Sequence, residues 1–222
     1  CWGGDLMQAA GARLVKHYRD LAFMGFIEVV RNLRTILRNL SFCKKDILEF
    51  TPDAIILIDY PGFNLRIAQW AKASGLKVIY YISPQVWAWK ENRVHTIKKC
   101  VDKMLVILPF EKDFYQKWNY EVKYVGHPLV EVVDEWQQQH PNTVKTNIIA
   151  LLPGSRKQEI LKKLPVMLEV SRHFPDHEFI VAMAPGLEKE FYQNMLSGYG
   201  NVKAVSGKTY DLLMQAKAAL VT

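Results

Sequence analysis

At 222 residues, half of them hydrophobic, the chain is long enough for one large or two small folded domains and too apolar for a disordered tail. A formal charge of +7 favours an anionic partner, whether nucleic acid, acidic lipid or a phosphorylated substrate. No apolar run reaches the roughly 18 residues that span a bilayer, and Cys1, Cys43 and Cys100 have neither metal-ligand spacing nor an even count, so reduced thiols are expected.

The chain starts at Cys1 and stops at Thr222 inside a strand pattern, so it reads as an internal segment of a longer protein. Cys1 to Asp20 carries a glycine turn and a short helical pattern. From Gly25 to Leu40 the spacing predicts a helix with Phe26, Val29, Val30, Leu33, Ile36, Leu37 and Leu40 on one arc and Arg31, Arg34 and Arg38 opposite. Such a helix fits either a protein core or a membrane interface. From Asp53 onward, apolar runs alternate with helical patterns. Expected strands are 54–58, 77–82, 104–108 and 122–125; expected helices are 64–73, 89–100 and 110–118. Unbroken apolar strands between helices predict a parallel sheet covered on both faces, with ligands at the carboxyl ends of the strands. That rule places Asp59, Ser83, Pro109 and His127 on one rim.

The rhythm lapses after Pro128, and the polar stretch 137–146 reads as a linker. Alternation resumes with strands 147–152, 178–183, 202–205 and 219–221. The expectation is therefore two Rossmann-like βαβ domains facing a cleft, 1–136 and 147–222, the second truncated.

Three places carry candidate chemistry. Asp59 ends the strand AIILID ahead of Tyr60-Pro61-Gly62; a carboxylate there can take a proton from a bound hydroxyl, or simply form the turn. Asn64 is a hydrogen-bond partner or the N-cap of the next helix. Val78–Ile82 breaks at Ser83-Pro84 and continues into Trp87, Trp89, Lys90 and Arg93, the build of a ligand-facing loop, although either tryptophan can equally be a core anchor. The second array opens with LLPGSRKQEI. Its strand ends at Pro153, Ser155 and Gln158 match a capping box, and the helix start with Gly154 and Arg156 suits an anion, although an ordinary capped helix with a solvated arginine also fits. The Walker A and G-x-G-x-x-G spacings are absent, so no dinucleotide cofactor is expected. His127 has no companions at zinc spacing; a substrate contact and a structural hydrogen bond both fit it, and no metal site is expected.

IDYPGFN (58–64), YISPQVWAWKENRV (81–94), LPFEKDFY (108–115), VGHPLVE (125–131) and LLPGSRKQEI (151–160) occur in the order in which lipid-A-disaccharide synthases carry similar segments, and GGDLMQAAG (3–11) and AFMGFIEV (22–29) match as well. The chain resembles that family over almost its whole length. The SP-x-VWAW stretch is the most specific; PGSR alone is shared by other nucleotide-sugar transferases. The resemblance implies an α/β, GT-B-like glycosyltransferase that joins UDP-2,3-diacylglucosamine to 2,3-diacylglucosamine 1-phosphate with inversion, releasing UDP, without metal or other cofactor. It implies Asp59 as general base, Gly154, Ser155 and Arg156 on the UDP diphosphate, and Asn64, Ser83, Trp87 and His127 around the sugars.

Because both substrates carry acyl chains, the resemblance also turns the arginine-backed helix toward the inner-membrane surface, with Phe23, Met24, Phe26, Val29, Val30, Leu33 and Leu37 as contacts. A cytoplasmic protein held peripherally on that membrane is the expectation. Two parts of the family pattern are missing: a first strand with a G-E-x-S-G-D loop, expected before Cys1, and later nucleotide contacts, expected after Thr222. A different UDP-N-acetylglucosamine transferase or a UDP-sugar epimerase is the near rival. A non-catalytic basic module for nucleic acid is the remote one, since the cations are spread over both arrays rather than clustered with aromatics.

Overall fold

The structure, a computed structural model, describes residues 1–18, 33–185 and 187–222 and divides into two compact units, Cys1–His127 and Pro128–Thr222. The division falls before the expected boundary at 136. Pro128–Gln139 is a helix of the second unit, where the Trp136 indole N–H donates to Asp211 Oδ1 at 2.9 Å, so the expected linker begins inside a helix.

The first unit holds a parallel sheet of order β3-β4-β5-β6, with β3 Ala54–Ile58, β4 Lys77–Tyr81, β5 Lys103–Val106 and β6 Lys123–Tyr124. A small parallel pair, β1 Trp2–Gly3 and β2 Lys16–His17, stands apart from it. Helices Pro61–Ala73 and Arg93–Cys100 bury Ile67, Ala68, Ala71, Val94 and Ile97 among Val78, Tyr80 and Val106 of the strands. Burying one such aliphatic side chain contributes about 1.5–3 kcal/mol. The sheet is parallel as the apolar runs require. Its edge strand β3 departs from the expected two-sided cover: Ile55 and Leu57 are buried, while Ile56 is 64% exposed among the described residues.

Helix Pro61–Ala73 ends in a Schellman motif. Gly75 N–H donates to Lys72 O at 3.1 Å and Leu76 N–H to Ala71 O at 2.9 Å. Gly75 sits at φ 79° with open space where a Cβ would stand, so backbone conformation alone calls for glycine there.

The helix expected over 25–40 is described as Leu33–Phe50, and continues well past Leu40. Phe23, Met24, Phe26, Val29 and Val30 lie outside the described residues, as does the Leu33 side chain. Leu40 and Cys43 are buried, with Ile36 and Ile47 packed against the same core. Leu37, three residues before Leu40 and so about 60° away around the helix, is 51% exposed. The predicted apolar arc is thus split between core and surface. Burial, with Asp46 adding, pushes the Cys43 thiol up to about 12, which leaves it a poor nucleophile.

Asp102 fastens three elements. It pairs with Lys72 of helix Pro61–Ala73 and accepts the Val78 N–H of β4 at 2.8 Å from its place just before β5. The Lys72 hydrogen bond, then the Val78 N–H, hold its carboxyl below the ordinary carboxylate range. A carboxyl lowered on folding stabilises above its unfolded pKa, and that contribution is lost as pH falls through the lowered value. Asp102→Asn is expected to lower stability at neutral pH by about 1 kcal/mol, a modest figure because the Lys72 pair is partly exposed. Thermal melts across pH 2–7 check this: the wild type should lose its advantage over the variant at the acid end, and parallel curves would show that Asp102 contributes nothing by charge.

The second unit repeats the architecture with order β10-β7-β8-β9: β7 Ile148–Leu152, β8 Glu178–Met183, β9 Val202–Ser206 and β10 Ala218–Val221, all parallel. Helix Lys157–Ser171 packs Ile160, Leu164 and Leu168 on Leu151, Phe179 and Val181. The buried Tyr192 hydroxyl accepts the Ala184 N–H at 2.9 Å, which pins the end of β8.

Candidate functional site

In the first unit the carboxyl ends of β3, β4 and β5 border an open cavity of about 300 Å³, lined among others by Asp59, Ser83, Trp89, Arg93 and Glu111. The chain reaches it through strained turns. Asp59 and Tyr60 follow one another at φ 45° and 46°, and Ile82 sits at φ 64°. A left-handed β-branched residue is a genuine outlier, held only where surrounding contacts over-determine it.

At Asp59 those contacts are visible. Its main-chain carbonyl accepts both the Tyr80 hydroxyl at 2.6 Å and the Asn64 amide at 2.8 Å, and Asn64 also donates to Ile58 O at 3.0 Å. Burial, with Asp59 and other neighbours adding, raises the Tyr80 phenol far above neutrality, so it remains a donor. Asn64 is therefore neither the N-cap, which is Tyr60, nor aimed at a ligand; it locks the turn that carries Asp59. The Asp59 carboxylate takes no hydrogen bond among the described residues.

The loop after β4 is organised from below by Glu111, which is 1% exposed. Its Oε2 accepts the N–H groups of Leu108 at 2.9 Å and Ile107 at 3.2 Å. Burial raises its pKa, and these two bonds, with the Trp87 and Ser83 side chains, pull it back. Ser83 is buried, bonded to the Tyr115 hydroxyl at 2.6 Å and to Pro84 O at 3.0 Å. It lines the cavity, but its hydroxyl is already engaged by protein. Trp87 leans edge-on against Phe110, ring centroids 5.0 Å apart, and is not part of the lining. Trp89 is, with Lys90 Nζ 4.8 Å and Arg93 Cζ 5.4 Å from its ring centre. His127 follows Gly126 beyond β6 and is also outside the lining.

The second unit holds the loop Pro153–Arg156 between β7 and helix Lys157–Ser171. Gly154 has φ 108°, which calls for glycine on backbone grounds, while a Cβ there would press on the Glu159 side chain, whose Cβ stands 3.2 Å away. The expected Ser155–Gln158 capping box does not form. Arg156 is the N-cap, no side chain caps it, and Glu159 is the third helical residue, reaching back toward the loop. Glu159 pairs with the Arg156 guanidinium, and that hydrogen bond first, then the backbone N–H groups of Arg156 and Ser155, hold its carboxyl low. A carboxylate of the chain itself thus sits against the groups that suit a phosphate. Among the described residues no three His, Cys, Asp or Glu side chains cluster as metal ligands.

Sequence reasoning placed Trp89 and Arg93 in a ligand-facing loop without giving either a role of its own, and missed Glu111. A signal existed for Arg93, which opens the helix just past the loop.

A family model described as Lipid-A-disaccharide synthetase matches residues 2–222. The lipid-A-disaccharide synthase of Syntrophus aciditrophicus is 40% identical over 231 residues, covering 99% of this chain and 60% of that protein. That of Coxiella burnetii is 37% identical over 228 residues, covering 98% and 60%. The chain spans less than two thirds of these relatives' length. Among solved structures, UDP-GlcNAc 2-epimerase from Neisseria meningitidis, bound to UDP-GlcNAc, is similar with a TM-score of 0.64 at 13% identity, over 97% of this chain and 65% of that one. At such identity the likeness is one of fold alone, an α/β arrangement of parallel sheets of the GT-B kind.

Proposed function

Because the chain belongs to the lipid-A-disaccharide synthetase family, we propose that it carries the acceptor pocket and part of the nucleotide site of an inverting glycosyltransferase that joins UDP-2,3-diacylglucosamine to 2,3-diacylglucosamine 1-phosphate. The observation that supports this most is the cavity at the strand ends of the first unit, with the Asp59 carboxylate held out on a locked, left-handed turn. Asp59 takes the proton from the acceptor's 6-hydroxyl, whose oxygen attacks the donor's anomeric carbon. The bond from that carbon to the diphosphate breaks, and the electron pair leaves with UDP. Gly154, Ser155 and Arg156 bind the diphosphate and stabilise the charge that develops on it. Ser83 shapes the pocket wall, Trp87 supports it, Asn64 holds the base, and His127 contacts sugar from its place beyond β6.

The test is product analysis with acylated and unacylated UDP-glucosamine derivatives. A β-1,6 disaccharide from the acylated pair supports the reading. Consumption of UDP-N-acetylglucosamine without an acylated acceptor would replace it with an epimerase or another transferase.

We also propose that helix Leu33–Phe50 meets the inner-membrane surface. Leu37 and Leu48, 51% and 58% exposed, share a flank with Arg34, Lys44 and Lys45 rather than with the core residues Leu40 and Cys43. Among the described residues no helix is long and apolar enough to cross a membrane, so contact would be at the interface. Leu37→Ser with Leu48→Ser should cut partitioning onto anionic liposomes by about tenfold, with an unchanged melt. A collapsed melting temperature with unchanged partitioning would return the helix wholly to the core.

A further inference from the structure

The cavity of the first unit contains a cation to which the reaction as proposed gives no role. Arg93 lines it beside Asp59, with its guanidinium carbon 5.4 Å from the centre of the Trp89 ring. Lys90 Nζ stands 4.8 Å from the same ring. Arg156 and Arg172 each pair with a glutamate three residues away; among the described residues neither Arg93 nor Lys90 pairs with any carboxylate. Braced on an aromatic face, a guanidinium keeps its edge donors available, and that fork matches the oxygens of a phosphate.

The other charges of the cavity give a bound ligand a direction. Glu111 faces inward and spends its Oε2 on the Ile107 and Leu108 N–H groups, so it neither neutralises Arg93 nor reaches for a ligand. The Asp59 carboxylate repels an anion and attracts a hydroxyl. A ligand that satisfies both ends carries a phosphate toward Trp89 and a hydroxyl toward Asp59.

Resting on the reading of this cavity as the acceptor site, we infer that Arg93, braced by Trp89 and aided by Lys90, binds the phosphate of a sugar-phosphate acceptor and so sets which of its hydroxyls faces Asp59. Lys90 holds φ 56°, another left-handed non-glycine residue, which fixes the turn between the tryptophan and the arginine.

The probes are glucosamine 1-phosphate, glucosamine and UDP, with binding followed by ligand-observed NMR. The wild type should bind the phosphorylated sugar about tenfold or more tighter than the unphosphorylated one. Arg93→Ala should abolish that preference, Arg93→Lys should keep part of it, and UDP binding should stay within about twofold in both, with circular dichroism confirming the fold. Lys90→Ala gives a second variant outside the helix, expected to reduce the preference about threefold. An unchanged preference in Arg93→Ala overturns the inference, as does a loss of UDP binding in its place, which would make this a diphosphate site. An Arg93-dependent preference in a full-length protein that transfers no sugar would remove the transferase reading and leave the phosphate site standing. Full transfer by Arg93→Ala at an unchanged acceptor KM would do the reverse.

Discussion

In the full-length enzyme, Asp59→Asn is expected to lower turnover by about 10²–10⁴-fold, the usual loss when a general base is removed, while UDP affinity stays within about twofold. Asparagine is the informative replacement because of the backbone. Asp59 sits at φ 45°, a conformation that asparagine tolerates well among non-glycine residues. The turn is held through the Asp59 carbonyl by Tyr80 and Asn64, and those bonds survive a change at the carboxylate. The variant should therefore melt like the wild type, so that any loss of rate belongs to the chemistry. Turnover within threefold of wild type would take Asp59 out of the mechanism. Asn64→Ala makes a useful contrast: it frees the same turn without touching the carboxylate, and should reduce both stability and rate.

Arg156→Ala is expected to weaken UDP binding more than acceptor binding. A charge-assisted contact to phosphate contributes about 1.5–3 kcal/mol, roughly 10- to 150-fold in affinity. The lower end is the better expectation, because Arg156 already pairs with Glu159 and must exchange one anion for another. Glu159→Gln should accordingly tighten UDP binding several-fold, since it removes the resident competitor but keeps a side chain able to accept the loop N–H groups. Titration calorimetry with UDP on both variants decides. Equal affinity in wild type and Arg156→Ala would dissociate this loop from the diphosphate.

The architecture was readable because β3, β4, β7 and β8 are short unbroken apolar runs, each followed by a helical pattern, and few other folds use such runs. The helix Pro128–Gln139 was within reach too: Pro128 at its first position and Leu129, Val132, Val133 and Trp136 at helical spacing mark it, but the glutamines that follow drew the segment into a loop. The assignment of the two tryptophans was out of reach. Trp87 and Trp89 differ by two residues in one turn, and no spacing rule tells which of them faces the cavity. Glu111 hides for a different reason. A glutamate at the first turn of a helix reads as a solvated residue, and its burial depends on N–H groups of the preceding strand end that no spacing rule connects to it. At Arg156 the capping pattern pointed one residue early; Glu159 rather than Gln158 reaches back, because the loop stays extended through Arg156.

Six non-glycine residues among those described adopt left-handed backbone: Thr51, Asp59, Tyr60, Ile82, Lys90 and Asn119. Each such conformation costs about 1–3 kcal/mol, a sizeable share of the marginal stability of a domain. Thr51 and Asn119 lie outside the cavity lining, so relaxing them to glycine would have little bearing on the chemistry. Asp59 and Ile82 are part of its wall. A search for thermostable variants that scored stability alone would accept changes at all of these positions. A search that also scored turnover would keep those at Thr51 and Asn119 and discard those at Asp59 and Ile82, so the two selections would part company at the strand ends of this one sheet.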